Sequence, residues 1–253
     1  MAIRLANDMP SEDRSGSGKF QTTNWSAVLA AGDTTIPGAR EALEKLCWSY
    51  WHPLYVFVRR LGHGPEDAQD LTQGFFAHLL KARVISRANP EAGRFRSFLL
   101  VSLKHFLAHE HERATALKRG GGRFVLSFNQ LAPEERWALE PADAATPEQI
   151  FDRRWAMQQI ENALTHLRDD YAASGRGPLF DLLKDYVWGD KNTVTLAEIA
   201  SRLDLTEEAV KKAVQRLRHR FRECLRAEIA RTVATPDQID EELRHLRAAL
   251  ASV

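Results

Sequence analysis

Apolar residues return every three or four positions along most of the chain, and the only alternating stretch of strand type is the short RFVLSF at 123–128. The pattern predicts an all-α protein. Helices are expected at 25–29, 39–50, 53–61, 65–81 and 95–119, separated by the Gly/Pro signals IPG, GHGP and NPEAG. Pro65 presets φ for a first helical turn, and Glu66 and Asp67 beside it meet the positive end of the helix dipole. Gly120, Gly121 and Gly122 close this block as a hinge. Thr146, Pro147 and Gln149 supply an N-cap, a proline at the first helical position and a capping-box partner, so a helix starts there and runs to about Ser174. GRGP stops it, a shorter helix at 179–187 precedes WGDKN, and 236–250 reads as a short amphipathic helix. Residues 1–20 are polar and rich in Ser and Gly, the composition of a disordered segment.

The stretch VTLAEIASRLDLTEEAVKKAVQRLRHRFRECLR, beginning at Val194, has a more particular form. Thr195 and Glu198 make a capping box, and Leu196, Ile199, Ala200 and Leu203 share one face of a first helix of about nine residues. Asp204 stands where the turn needs a residue that tolerates the left-handed region, and Thr206 caps a second helix with Glu207 and Glu208 in its first turn. Val210, Val214, Leu217, Phe221 and Leu225 form the seam of that helix, while Lys211, Lys212, Gln215, Arg216, Arg218 and His219 project mainly from the other faces. Short helix, tight turn and basic helix make a helix-turn-helix, whose second helix fits the major groove of DNA. A basic amphipathic helix lying on a partner or an acidic membrane, or merely solvated, is the plainer alternative.

Charge sharpens this picture. The 253 residues carry a net charge of only +1, yet residues 94–123 hold seven Lys/Arg against two Glu and residues 211–231 hold eight against two. Between them, residues 132–152 hold six acids against Arg136 alone. Two basic blocks joined by an acidic connector fit a polyanion binder with two contact sites. In the first block Phe95, Phe98 and Phe106 are interleaved with Arg94, Arg96, Lys104 and His105, a mixture suited to unpaired bases, although core packing is the plainer role for any one phenylalanine.

Other chemistry finds little support in the sequence. Cys47 and Cys224 sit in separate helical patterns without ligand spacing and read as reduced core residues. His105 and His109 share a helix face but lack a third partner, RGGGR is not a P-loop, and the acid pairs Glu134/Glu135 and Glu241/Glu242 read as surface. No enzyme, metal or cofactor is expected. Without a long apolar run or an apolar leader at the N-terminus, the expected location is the cytoplasm, away from any membrane.

PEDAQDLTQGFFAHLL at 65–80 resembles the helix by which bacterial sigma factors of the extracytoplasmic-function class bind core RNA polymerase. The resemblance continues in order through the aromatic-basic helix, similar to the family's segment for promoter melting and minus-ten reading, to the helix-turn-helix, similar to its minus-thirty-five reader. It implies two helical domains joined by a flexible linker. A region 2-like domain would span 21–119, an acidic linker 120–146, a region 4-like domain 147–231 and a C-terminal tail 232–253.

The partners so implied are the β′ clamp helices and β flap of core polymerase, promoter DNA, and an anti-sigma factor where one exists. Asp67, Gln69, Asp70, Gln73 and Phe76 would lie on or beside the polymerase contact. Arg94, Phe95, Arg96 and Ser97 would border a flipped minus-ten base, with Lys104, His105 and Arg113 along the single strand. Lys211, Lys212, Gln215, Arg216, Arg218 and His219 would meet the minus-thirty-five duplex. The chain departs from the family at Phe98, where Trp is frequent, at His105 and His109, and in the enlarged connector 167–190 that replaces the usual LPxxxR segment. The rival readings are a helix-turn-helix regulator with an N-terminal sensing or dimerisation domain, and a helical scaffold for acidic protein partners.

Overall fold

The computed structural model describes residues 39–81, 94–116, 145–188, 194–233 and 235–251. The segment 1–20, the helix at 25–29, the strand-like 123–128, the triple-glycine hinge and most of the acidic connector lie outside the described residues. The elements are α1 (Ala39–Arg60), α2 (Pro65–Lys81), α3 (Phe95–Ala116), α4 (Pro147–Ala173), α5 (Gly177–Leu183) with a 3-10 turn at Lys184–Val187, α6 (Leu196–Leu203), α7 (Glu207–Ala230) and α8 (Ile239–Ala251). Among the described residues the fold is all-α.

Local chemistry accounts for several helix starts. α2 begins on Pro65 with Glu66 and Asp67 in its first turn. α4 begins on a complete capping box between Thr146 and Gln149, with Pro147 at its first position. The sequence expectation fails at Pro53, which lies inside one continuous helix rather than between two. An internal proline costs about 3 kcal/mol in a lost hydrogen bond and a clash. Here the residues from Pro53 to Val58 are all buried, so packing on every side of α1 offsets that cost. At Gly74 of α2 a Cβ would stand 3.3 Å from the Phe106 ring of α3, so the small residue lets these helices approach closely.

Two apolar cores result. The first gathers Tyr50 and Phe57 of α1, Phe75 of α2 and Leu103 of α3, and closes with Phe151 and Trp155 of α4, Ile229 of α7 and Leu246 of α8. The second gathers Leu167 of α4, Phe180 of α5, Ile199 of α6 and Val214, Leu217 and Phe221 of α7. With 27 residues, α4 is long enough, roughly 40 Å, to serve both cores. The boundary expected between 146 and 147 therefore falls next to a helix whose first half belongs with α1–α3. α8, the short amphipathic helix of the C-terminal tail, packs back into that same first core through Ile239 and Leu246.

Candidate nucleic-acid interface

The helix-turn-helix is fixed by caps at both helix starts and by the backbone of its turn. Glu198 N–H donates to Thr195 Oγ1 at 3.2 Å and Thr195 N–H to Glu198 Oε2 at 2.8 Å, closing the capping box of α6. The Thr195 backbone N–H, with the Thr195 hydroxyl, holds the Glu198 carboxyl below its ordinary range. Asp204 adopts φ 52° and ψ 46°, the left-handed conformation the sequence requires of it. Ala209 N–H then donates to Thr206 Oγ1 at 3.2 Å, capping α7.

Helix α7 buries Val210, Val214, Leu217 and Phe221, with Leu225 half-buried. The opposite face leaves Lys211, Lys212, Gln215, Arg216 and His219 exposed, and Arg222 continues it one turn on. His219 lies 3.3 Å from Glu223, whereas Lys211, Lys212, Arg216 and Arg222 make no ion pair among the described residues. Arg218 departs from the expectation. Its Nε donates to the Tyr186 carbonyl at 2.8 Å, which turns it toward the 3-10 turn and away from this face. Arg222 was missed by the sequence reading, although a helical period from Lys211 through Gln215 leads to it.

The cations of α3 are arranged differently. Arg94 pairs with Glu241 and with Glu242, the latter at 2.8 Å, and lies 3.5 Å from His245 Nδ1. Arg96 is buried, pairing with Glu242 and, at 3.1 Å, with Asp152, while its guanidinium sits 4.5 Å over the Trp155 ring. Lys104 pairs at 2.7 Å with Glu148. Phe95 packs edge-on to Tyr50 in the first core, so its expected place beside a splayed base is corrected: it is a core residue here. The same correction applies to Arg96, which desolvation makes stable only with these partners around it. Ser97 and His105 are exposed, and Arg113 is exposed with a local pair to Glu110 at 3.1 Å.

On α2, Asp67, Gln69 and Asp70 are exposed along one side and Gln73 is half-buried beside them. Phe76 is a core residue against Phe75, not part of that surface. No family model, curated protein or solved structure matches this chain.

The carboxylates that close over α3 were not legible as a site. Glu242, read as a surface acid, is buried, and burial raises its carboxyl above the usual range despite the opposing pull of Arg96 and Arg94. Burial and Arg96 together lower His245 below the usual imidazole range against the opposing effect of Asp152, so at neutral pH it adds no third positive charge to the cluster. The available signal was Asp240-Glu241-Glu242 in one helical turn, which is also the ordinary composition of a helix start. Burial likewise raises the Cys224 thiol, which packs in the second core. Among the described residues no group of three His, Cys, Asp or Glu converges as a metal site, and no helix is long and apolar enough to cross a membrane.

Proposed function

We propose that the chain is an RNA polymerase sigma factor of the extracytoplasmic-function type. It joins core polymerase through the exposed side of α2, engages the minus-ten region through α3 and grips the minus-thirty-five duplex with α7. The observation that carries this reading is the helix-turn-helix, with its left-handed Asp204 turn and a row of α7 cations left facing solvent. A helix presented this way enters the major groove, where Lys and Arg pair with guanine edges or phosphates and Gln pairs with adenine. No covalent step is assigned to the chain. Melting is driven by binding energy placed on splayed bases, offsetting about a few kcal/mol of lost stacking per base.

Core binding tests the reading at α2. Asp70→Ala with Gln73→Ala is expected to weaken binding to core polymerase on the order of tenfold, about 1.4 kcal/mol, while leaving duplex affinity unchanged. Equal core binding by the variant and the parent would remove α2 from the contact. A helix-turn-helix regulator that needs no polymerase is the second reading, and the burial of Phe95 and Arg96 favours it, since neither is open to a strand in this arrangement. It predicts specific duplex binding with no affinity for core enzyme.

A further inference from the structure

Three consecutive carboxylates in the first turn of α8 each meet a cation from a basic block of the sequence. Asp240 pairs with Arg226 of α7, Glu241 with Arg94, and Glu242 with both Arg94 and Arg96. Among the described residues, the charged partners of Arg94 all lie on α8. A guanidinium fork donates to a carboxylate or a phosphate in the same planar geometry, so the acids of α8 and a nucleic-acid backbone compete for the same atoms. Helix α8 thus straps the end of the helix-turn-helix to the start of α3 by the groups a phosphate backbone would use.

We infer that α8 is an autoinhibitory latch: Glu241 and Glu242 in its first turn occupy Arg94 in place of a single-stranded nucleic acid, and must undock before that strand binds. This rests on the proposed role of α3 as the strand-binding helix. The latch is built to release. α8 has 13 residues, in the range where an isolated helix is marginal in water, and its buried side chains are Ile239, Glu242 and Leu246. Undocking is therefore a local opening rather than global unfolding. Asp152 and Trp155 remain beside Arg96 when α8 leaves, so α3 keeps its place while Arg94 becomes free. A latch closed about ten to one reduces the apparent affinity of the strand about tenfold.

The test uses the full chain and a labelled single strand of about 16 nucleotides, read by fluorescence anisotropy. Glu241→Gln with Glu242→Gln is expected to tighten strand binding about tenfold. Glu241→Gln alone changes only an exposed side chain, so it leaves the fold intact, and it is expected to act in the same direction by about twofold to threefold. Adding Arg94→Ala to the double variant removes the gain. Unchanged or weaker strand binding in a folded Glu241→Gln chain overturns the latch. The same preparations are tested for core polymerase binding, which separates the two proposals. Core binding without a gain on the strand leaves the initiation reading standing and the latch refuted; a gain on the strand without core binding does the reverse.

Discussion

Changing Lys211, Lys212 and Arg216 together to alanine is expected to lower affinity for the cognate duplex on the order of 100-fold, because each cation contributes about 1 kcal/mol or more to groove or phosphate contacts. All three side chains are exposed on α7 opposite its buried seam, so the helical circular dichroism should not change. The salt dependence carries further information. Each phosphate contact adds about 0.9 to the slope of log affinity against log salt, so losing three flattens it by about 2.7. A smaller change in slope with a full loss of affinity would place some of these residues on base edges instead of phosphates. Arg218→Ala serves as an internal comparison. Its bond to the Tyr186 carbonyl makes it a support for the 3-10 turn, and its loss should disturb stability more than the salt slope.

The largest effect on stability is expected at Trp155→Ala, about 3–5 kcal/mol, read as a fall in Tm of about 10 °C. Trp155 is fully buried where α4 joins α1 and α3, and Arg96 lies over its ring. Removing it leaves a cavity and also strips a face from a buried guanidinium whose remaining neighbours are Asp152 and Glu242. Trp188→Ala, by contrast, removes a side chain that is 52% exposed and makes an edge contact with Phe221. About 1 kcal/mol is expected there. Thermal melts of the two variants check both values.

What could be seen in the sequence follows the range of each interaction. The starts of α2, α4, α6 and α7 depend on neighbours within four residues: Pro65 with its acids, Thr146 with Gln149, Thr195 with Glu198, and Thr206. The same is true of the Asp204 turn and of the buried seam of α7, which is why the helix-turn-helix was legible. Pro53 misled because a proline acts locally as a breaker, while the burial that carries α1 through it comes from other helices. Arg96 misled for the same reason. Its partners Asp152 and Glu242 lie 56 and 146 residues away, and no periodicity within α3 distinguishes an arginine held by distant acids from one facing a strand. For Phe76 and Phe95 the resemblance gives positions in a motif and not the packing beneath it, and both are buried in the first core.

Run-off transcription tests the central proposal most directly: core RNA polymerase with the full-length chain on a pool of genomic promoter fragments, against core polymerase alone. The account predicts defined start sites that appear only with the chain, preceded by two shared sequence elements at a fixed spacing, and weakened by the alanine changes on α7. Retention of duplex DNA by the chain, with no start sites and no association with core polymerase, would contradict it and leave the regulator as the better account.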